Sequence, residues 1–122
     1  MLLILPDKRF TFDHNREVTT FKHMLDDFER EINETDLSHL DEILALHDLS
    51  MDTPAGDESN FKQRSLSNSE NRCLHHHVFN FELLSVICRY FGTEVKFKKW
   101  IAPCHQIIIA QKPSNKNQLS VK

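Results

Sequence analysis

The hydrophobic positions at the start of the chain form one short, uninterrupted run. Residues 2–5 are all aliphatic, and Pro6 with the charged residues after it ends the run. A strand with one exposed face would alternate apolar and polar residues, so this run predicts a short strand that is covered on both faces.

Helical spacing follows in two places along the next thirty residues. Thr19 or Thr20 suits the N-cap of the first helix, and the second is expected to begin near Asp36. The apolar positions of these two helices are Phe21, Met24, Leu25, Phe28 and Ile32, then Leu37, Leu40, Ile43 and Leu44.

A third helix is predicted in the C-terminal part of the chain. Asn80 is a good N-cap, and Glu82 places negative charge at the positive end of the helix. An apolar stripe then runs from Leu83 to Phe91, and Gly92 suits a left-handed helix ending.

Two strands are predicted after this helix. Residues 94–101 alternate, with Val95 and Phe97 expected to face inward, and residues 106–110 are apolar. The turn between them at Pro103 is short, so the pattern predicts an antiparallel hairpin.

The chain also contains two polar segments. Residues 51–72 hold few apolar side chains and are therefore predicted to be a long surface loop or an insertion. Residues 112–122 are expected to be a flexible tail, which leaves residues 1–111 as a single domain. The fold class is thus α/β, with about three helices, one short N-terminal strand and a C-terminal hairpin.

Composition narrows the function classes. The 122 residues carry a net charge of -3 and only two glycines, Gly56 and Gly92, which excludes glycine-rich nucleotide-binding turns and P-loops. No broad basic surface for nucleic acid and no membrane-spanning run are expected. Lysines near Trp100 are better explained as protection of a sheet edge than as a nucleic-acid contact.

Three cysteines and no secretory leader predict a cytoplasmic protein with reduced thiols.

Four segments together resemble a known family. Residues 1–13 resemble the fifth strand and following loop of bacterial class I S-adenosylmethionine-dependent methyltransferases, and residues 18–25 are similar to the helix after that loop. Residues 75–80 resemble the histidine-aromatic lead into the last helix, and residues 91–95 look like the turn into the final strands. The resemblance implies a partial Rossmann-like sheet in which the last strand, residues 106–110, lies between the other two.

The resemblance covers only the C-terminal, substrate-side half of the fold of that family. The glycine-rich turn that holds S-adenosylmethionine has no counterpart here, so no cofactor-binding residue is assigned and the isolated chain is not expected to be catalytic. Two alternatives stay open: a small binding or dimerisation module built on the half-fold, or one chain of a split methyltransferase.

Candidate substrate-side residues follow the first strand. Asp7, Arg9 and Asp13 lie just beyond its carboxyl end, where open α/β sheets bind ligands, and His77 matches the histidine before the aromatic residue in the family. The alternative for Asp7 and Arg9 is an ordinary ion pair in a solvated loop. Catalytic residues are not assigned.

The histidine-rich segment also raises the question of a metal site. Cys73, His75 and His77 are weak candidates, because zinc takes such ligands but their spacing matches no recognised finger or knuckle. The sequence interpretation therefore assigns no metal.

The apolar run of residues 2–5 also indicates that the chain associates with another chain. A strand as apolar as residues 2–5 needs a neighbouring strand on each edge and packed side chains on both faces. The half of the family's fold that is missing here would supply part of these contacts. Self-association, or a partner chain that completes the sheet at residues 2–5, is therefore expected.

Overall fold

The computed structural model describes residues 1–114 as a mixed α/β fold with five α-helices and one three-stranded sheet. This confirms the α/β class, with more helices than the three expected. None of these helices has the length and apolar character needed to cross a membrane. Most of the predicted tail, residues 115–122, lies outside the described residues. The elements are β1 (Leu2–Pro6), α1 (Phe21–Glu29), α2 (Leu40–Leu46), α3 (Glu58–Leu66), α4 (Asn68–Asn71), α5 (Phe81–Tyr90), β2 (Glu94–Ile101) and β3 (His105–Gln111).

The sheet has the strand order β1-β3-β2, and both pairings are antiparallel. Leu3 pairs with Ile108, and Val95 pairs with Ala110. The expected topology, with residues 106–110 between the other two strands, is confirmed. One face of β3 packs on α5, where Leu84 and Cys88 are fully buried against Ile108.

The opposite face of the sheet is exposed. Leu2 is 59% and Ile4 53% exposed, and both pair on this face with residues of β3. The expectation that the first strand is covered on both faces is therefore wrong for the described residues. Phe97 is also exposed rather than inward, because an irregularity between Val95 and Phe97 shifts the register of β2 and turns this side chain to the open face.

Local capping explains where the main helices begin and end. Thr20 accepts a hydrogen bond from the backbone N–H of His23, and Asn80 accepts one from Leu83, as their positions predict. Gly92 follows α5 with a φ of 66°, a left-handed conformation that favours glycine.

The second helix begins at Leu40 rather than near Asp36. The Asp36 side chain accepts a hydrogen bond from the backbone N–H of Ser38, and Asn33 accepts one from Thr35. Such bonds from a side chain to the next residues compete with helical hydrogen bonds, so this segment forms turns.

The polar segment at residues 51–72 is mostly helical, not a long loop. The Asp57 side chain caps α3 through the backbone N–H of Asn60, and α3 buries Phe61 against Ile43 and Ala55. The few apolar side chains of the segment suffice because α2 supplies their partners and so forms a second small core. The composition of residues 51–72 alone does not reveal the apolar partners that α2 supplies.

Candidate functional site

A cavity of about 280 Å³ lies at the carboxyl end of β1. Its wall comes from three pieces of chain: the end of β1, the loop that follows it, and the extended segment that leads into α5. This is the end of β1 at which the sequence predicts substrate-side residues. The lining residues are Leu5, Pro6, Lys8, Thr11, Asp13, His75, His76, His77, Val78 and Phe79.

Arg16 joins two of these pieces although they are far apart in sequence. It is 1% exposed, and its guanidinium donates to the backbone oxygens of His75 at 2.7 Å and His76 at 3.3 Å. The same group donates to Asp13 Oδ1 at 3.1 Å. A buried guanidinium needs such partners, so this arrangement fixes the histidine segment against the loop after β1.

Asp13 and His75 form a carboxylate–imidazole pair in the wall of the cavity. Oδ2 of Asp13 lies 2.7 Å from Nδ1 of His75. Burial alone would raise the pKa of the Asp13 carboxyl, but the His75 hydrogen bond and the Arg16 charge outweigh burial and lower it. The ionised carboxylate only accepts, so Nδ1 of His75 is the donor in this contact.

Asp7 and Arg9 bind each other. Nε of Arg9 lies 3.0 Å from Oδ1 of Asp7 and NH2 lies 2.7 Å from Oδ2, while the Asp7 side chain is buried and that of Arg9 is exposed. The Arg9 hydrogen bonds lower the pKa of the Asp7 carboxyl. Of the four candidate substrate-side residues, Asp13 and His77 line the cavity, and the residues that form its wall do not include Asp7 or Arg9.

His77 also belongs to a second group of polar side chains. Its Nε2 lies 2.9 Å from Oδ2 of Asp27, which is 5% exposed. The same oxygen lies 3.2 Å from Nε2 of His23 and 3.9 Å from Nε2 of His39. The two histidine nitrogens, Nε2 of His23 and Nε2 of His39, are 3.1 Å apart. We call these four residues the histidine–aspartate cluster.

Three separate elements position the histidine–aspartate cluster. His23 and Asp27 are four residues apart on α1 and therefore share one face of that helix. His39 lies at the N-terminus of α2, and His77 lies in the extended segment before α5. Burial would raise the pKa of the Asp27 carboxyl, but the His77 hydrogen bond and the charges of His23, His77 and His39 lower it.

The three metal candidates taken from the sequence have different partners. Cys73 is reduced, and its backbone N–H donates to the Asn71 side chain, whereas His75 pairs with Asp13. Only His77 joins a group whose donor atoms converge, and the sequence interpretation did not connect it with His23, Asp27 or His39. The spacing of His23 and Asp27 on a helix was the available signal.

No protein-family model, curated protein or solved structure matches this chain. Function is therefore argued from the geometry of the two sites.

Proposed function

We propose that the chain is the substrate-side half of an S-adenosylmethionine-dependent methyltransferase, completed by a segment that supplies the methyl donor. The observation that carries this proposal is the strand order β1-β3-β2, the order implied for the end of a partial Rossmann-like sheet. β1 is an edge strand within the described residues, so its outer edge offers backbone groups for a further strand.

The cavity at the end of β1 supports an acceptor site. Its wall combines apolar side chains with the Asp13–His75 pair and Lys8, a mixture that suits a small organic molecule bearing a hydroxyl or amine. Asp13 orients the ring of His75 through the contact between its Oδ2 and Nδ1, as a carboxylate does for a general base.

The roles in the transfer follow from this geometry. S-adenosylmethionine, bound by the completing segment, supplies an electrophilic methyl group on a sulfonium. The acceptor oxygen or nitrogen would take this methyl group as its bond to the sulfonium sulfur breaks and neutral S-adenosylhomocysteine leaves, and Nε2 of His75 would take the proton that the acceptor loses. Arg16 keeps His75 in place through the backbone oxygen of that residue.

Titration of the chain with S-adenosylmethionine tests the missing donor site. We expect no calorimetric binding at micromolar concentrations for the isolated chain. Co-production with the segment encoded immediately upstream should restore binding, if that segment carries the glycine-rich turn. Micromolar binding by the isolated chain, or no restoration by such a segment, would overturn the proposal.

Substitution of His75 tests its role in the completed protein. His75→Gln should lower the rate of methyl transfer by about 10²–10⁴-fold while the affinity for S-adenosylmethionine stays unchanged. His105→Gln is the matched control, because His105 is exposed at the start of β3. An unchanged rate in the His75 variant would remove this residue from the mechanism.

A second candidate function is a dimerisation module that uses the same half-fold. The exposed aliphatic face of the sheet favours it, since Leu2, Ile4 and Ile109 form a neighbouring apolar set. A second copy of the chain presents the same apolar surface and would bury it. The association experiment described in the Discussion separates this candidate from a monomeric half-enzyme.

A further inference from the structure

Three residues of the histidine–aspartate cluster bring donor atoms together in one small volume. One donor atom each from His23, Asp27 and His77 lies within 4.8 Å of the other two. Oδ2 of Asp27 is 2.9 Å from Nε2 of His77 and 3.2 Å from Nε2 of His23. A tetrahedral zinc site with bonds of about 2.0–2.1 Å has ligand atoms about 3.3 Å apart. These two separations are therefore close to those between the ligands of a zinc ion.

Hydrogen bonding alone accounts poorly for this arrangement. Nε2 of His23 and Nε2 of His39 face each other at 3.1 Å, so at most one of them carries a proton in that contact. Both nitrogens also approach the single oxygen Oδ2 of Asp27, which already pairs with His77. A cation bound by His23, Asp27 and His77 would use a lone pair from each of these three groups at once.

The surroundings also suit a bound cation. Asp27 is almost fully buried and supplies one negative charge, while the side chain of His23 is 40% exposed and gives access from solvent.

We propose that His23, Asp27 and His77 form a binding site for a divalent transition metal, with Zn²⁺ as the fitting ion. A site with imidazole nitrogen ligands disfavours the binding of Ca²⁺ and Mg²⁺, because these ions take oxygen ligands. Three protein ligands leave one position of a tetrahedral site open to water. The site connects α1 with the segment before α5, and it does not depend on the proposed methyltransferase function.

Zinc titration of the metal-free chain tests the site. We expect one equivalent of Zn²⁺ to bind, and Co²⁺ in its place should give the visible absorption of a tetrahedral nitrogen–oxygen site. His23→Gln should weaken zinc binding by more than about 100-fold, the upper end of what loss of an outer-shell partner costs. His14→Gln is the control, because His14 pairs with Asp48 outside the cluster and should bind zinc like the unaltered chain.

Thermal unfolding with and without zinc provides a second measurement. Zinc should raise the midpoint for the unaltered chain and for His14→Gln, but not for His23→Gln or His77→Gln, each checked for folding by circular dichroism. Should one of the two variants misfold, the other decides. Failure of the unaltered chain to bind stoichiometric zinc overturns the proposal. Equal zinc affinity in a folded cluster variant and in the control also overturns it, since binding would then be adventitious.

Discussion

Arg16 donates a hydrogen bond from NH1 to the backbone oxygen of His75 at 2.7 Å, across 59 residues of sequence. This contact fixes the loop after β1 against the segment that precedes α5. Both sites depend on that segment, since His75 lines the cavity and His77 belongs to the histidine–aspartate cluster. Together with the contact between Asp13 and His75, the buried arginine thus joins the loop after β1 to the segment before α5.

Replacing Arg16 by Ala should destabilise the fold strongly. Asp13 would keep a buried carboxylate without its main cation, a change that typically costs about 3–5 kcal/mol. Chemical denaturation of the variant and the unaltered chain measures the difference. Arg89→Ala is the control, because Arg89 is exposed on α5 and its loss should change the free energy of unfolding by no more than about 0.5 kcal/mol. Equal effects for the two variants would show that Arg16 does not join these segments.

Replacing Phe61 by Ala should show that residues 51–72 are part of the folded structure. Phe61 is 4% exposed and packs between His47 and the small core of Ile43 and Ala55, so its truncation should cost about 3–5 kcal/mol. Phe28→Ala is the matched control, since Phe28 is 81% exposed. Hydrogen exchange should also be slow in α3. A cost near zero for Phe61→Ala would instead support the loop predicted from composition.

Stability should fall as the pH decreases below about 6.5, with His47 as one cause. Burial, helped by the nearby charge of Arg64, lowers the pKa of His47 despite its hydrogen bond to Asp52 and the charges of Asp52 and Asp13. Below pH 6.5 the unfolded chain therefore binds a proton at this position before the folded chain does. The free energy of unfolding then decreases by up to about 1.4 kcal/mol per pH unit for this group.

A comparison of variants isolates the contribution of His47. His47→Gln should give a shallower dependence of stability on pH between 7 and 5, measured by denaturation at several pH values. His105→Gln should keep the slope of the unaltered chain, because His105 is exposed. A His47 variant with the original slope would contradict the lowered pKa.

Replacing Ile4 by Lys should weaken self-association of the chain. Ile4 is exposed on the open face of the sheet, and burying such a side chain is worth about 1.5–3 kcal/mol, so the dissociation constant should rise about tenfold or more. Sedimentation velocity over a range of concentrations gives this constant. Leu66→Lys is the control, because Leu66 is exposed on α3, away from the sheet.

The neighbouring residue Leu3 should respond differently. Leu3 pairs with Ile108 on the covered face and packs against the core, so Leu3→Lys should unfold the chain rather than affect association alone. A fully folded monomer of the unaltered chain at high concentration would exclude both self-association and the dimerisation module.

The sequence by itself determined the features that depend on neighbouring residues. Thr20 and Asn80 act as caps, Gly92 ends α5, and residues 94–110 form a hairpin, because capping, chain reversal and short-range strand pairing need only a few adjacent side chains. The position of β3 between the other strands came from the family resemblance and agrees with the structure.

Tertiary structure decided what depends on distant partners. The sequence could not show that Arg16 would be buried, because a guanidinium is buried only where carbonyl and carboxylate groups from other segments surround it. Likewise, His23 and His39 become neighbours of His77 only through the packing of three elements. Helix α3 forms because α2 supplies a surface for Phe61, and the aliphatic run of β1 is half exposed because helices cover one face of the sheet. Burial is a property of the assembled fold, so the composition of a segment does not fix it.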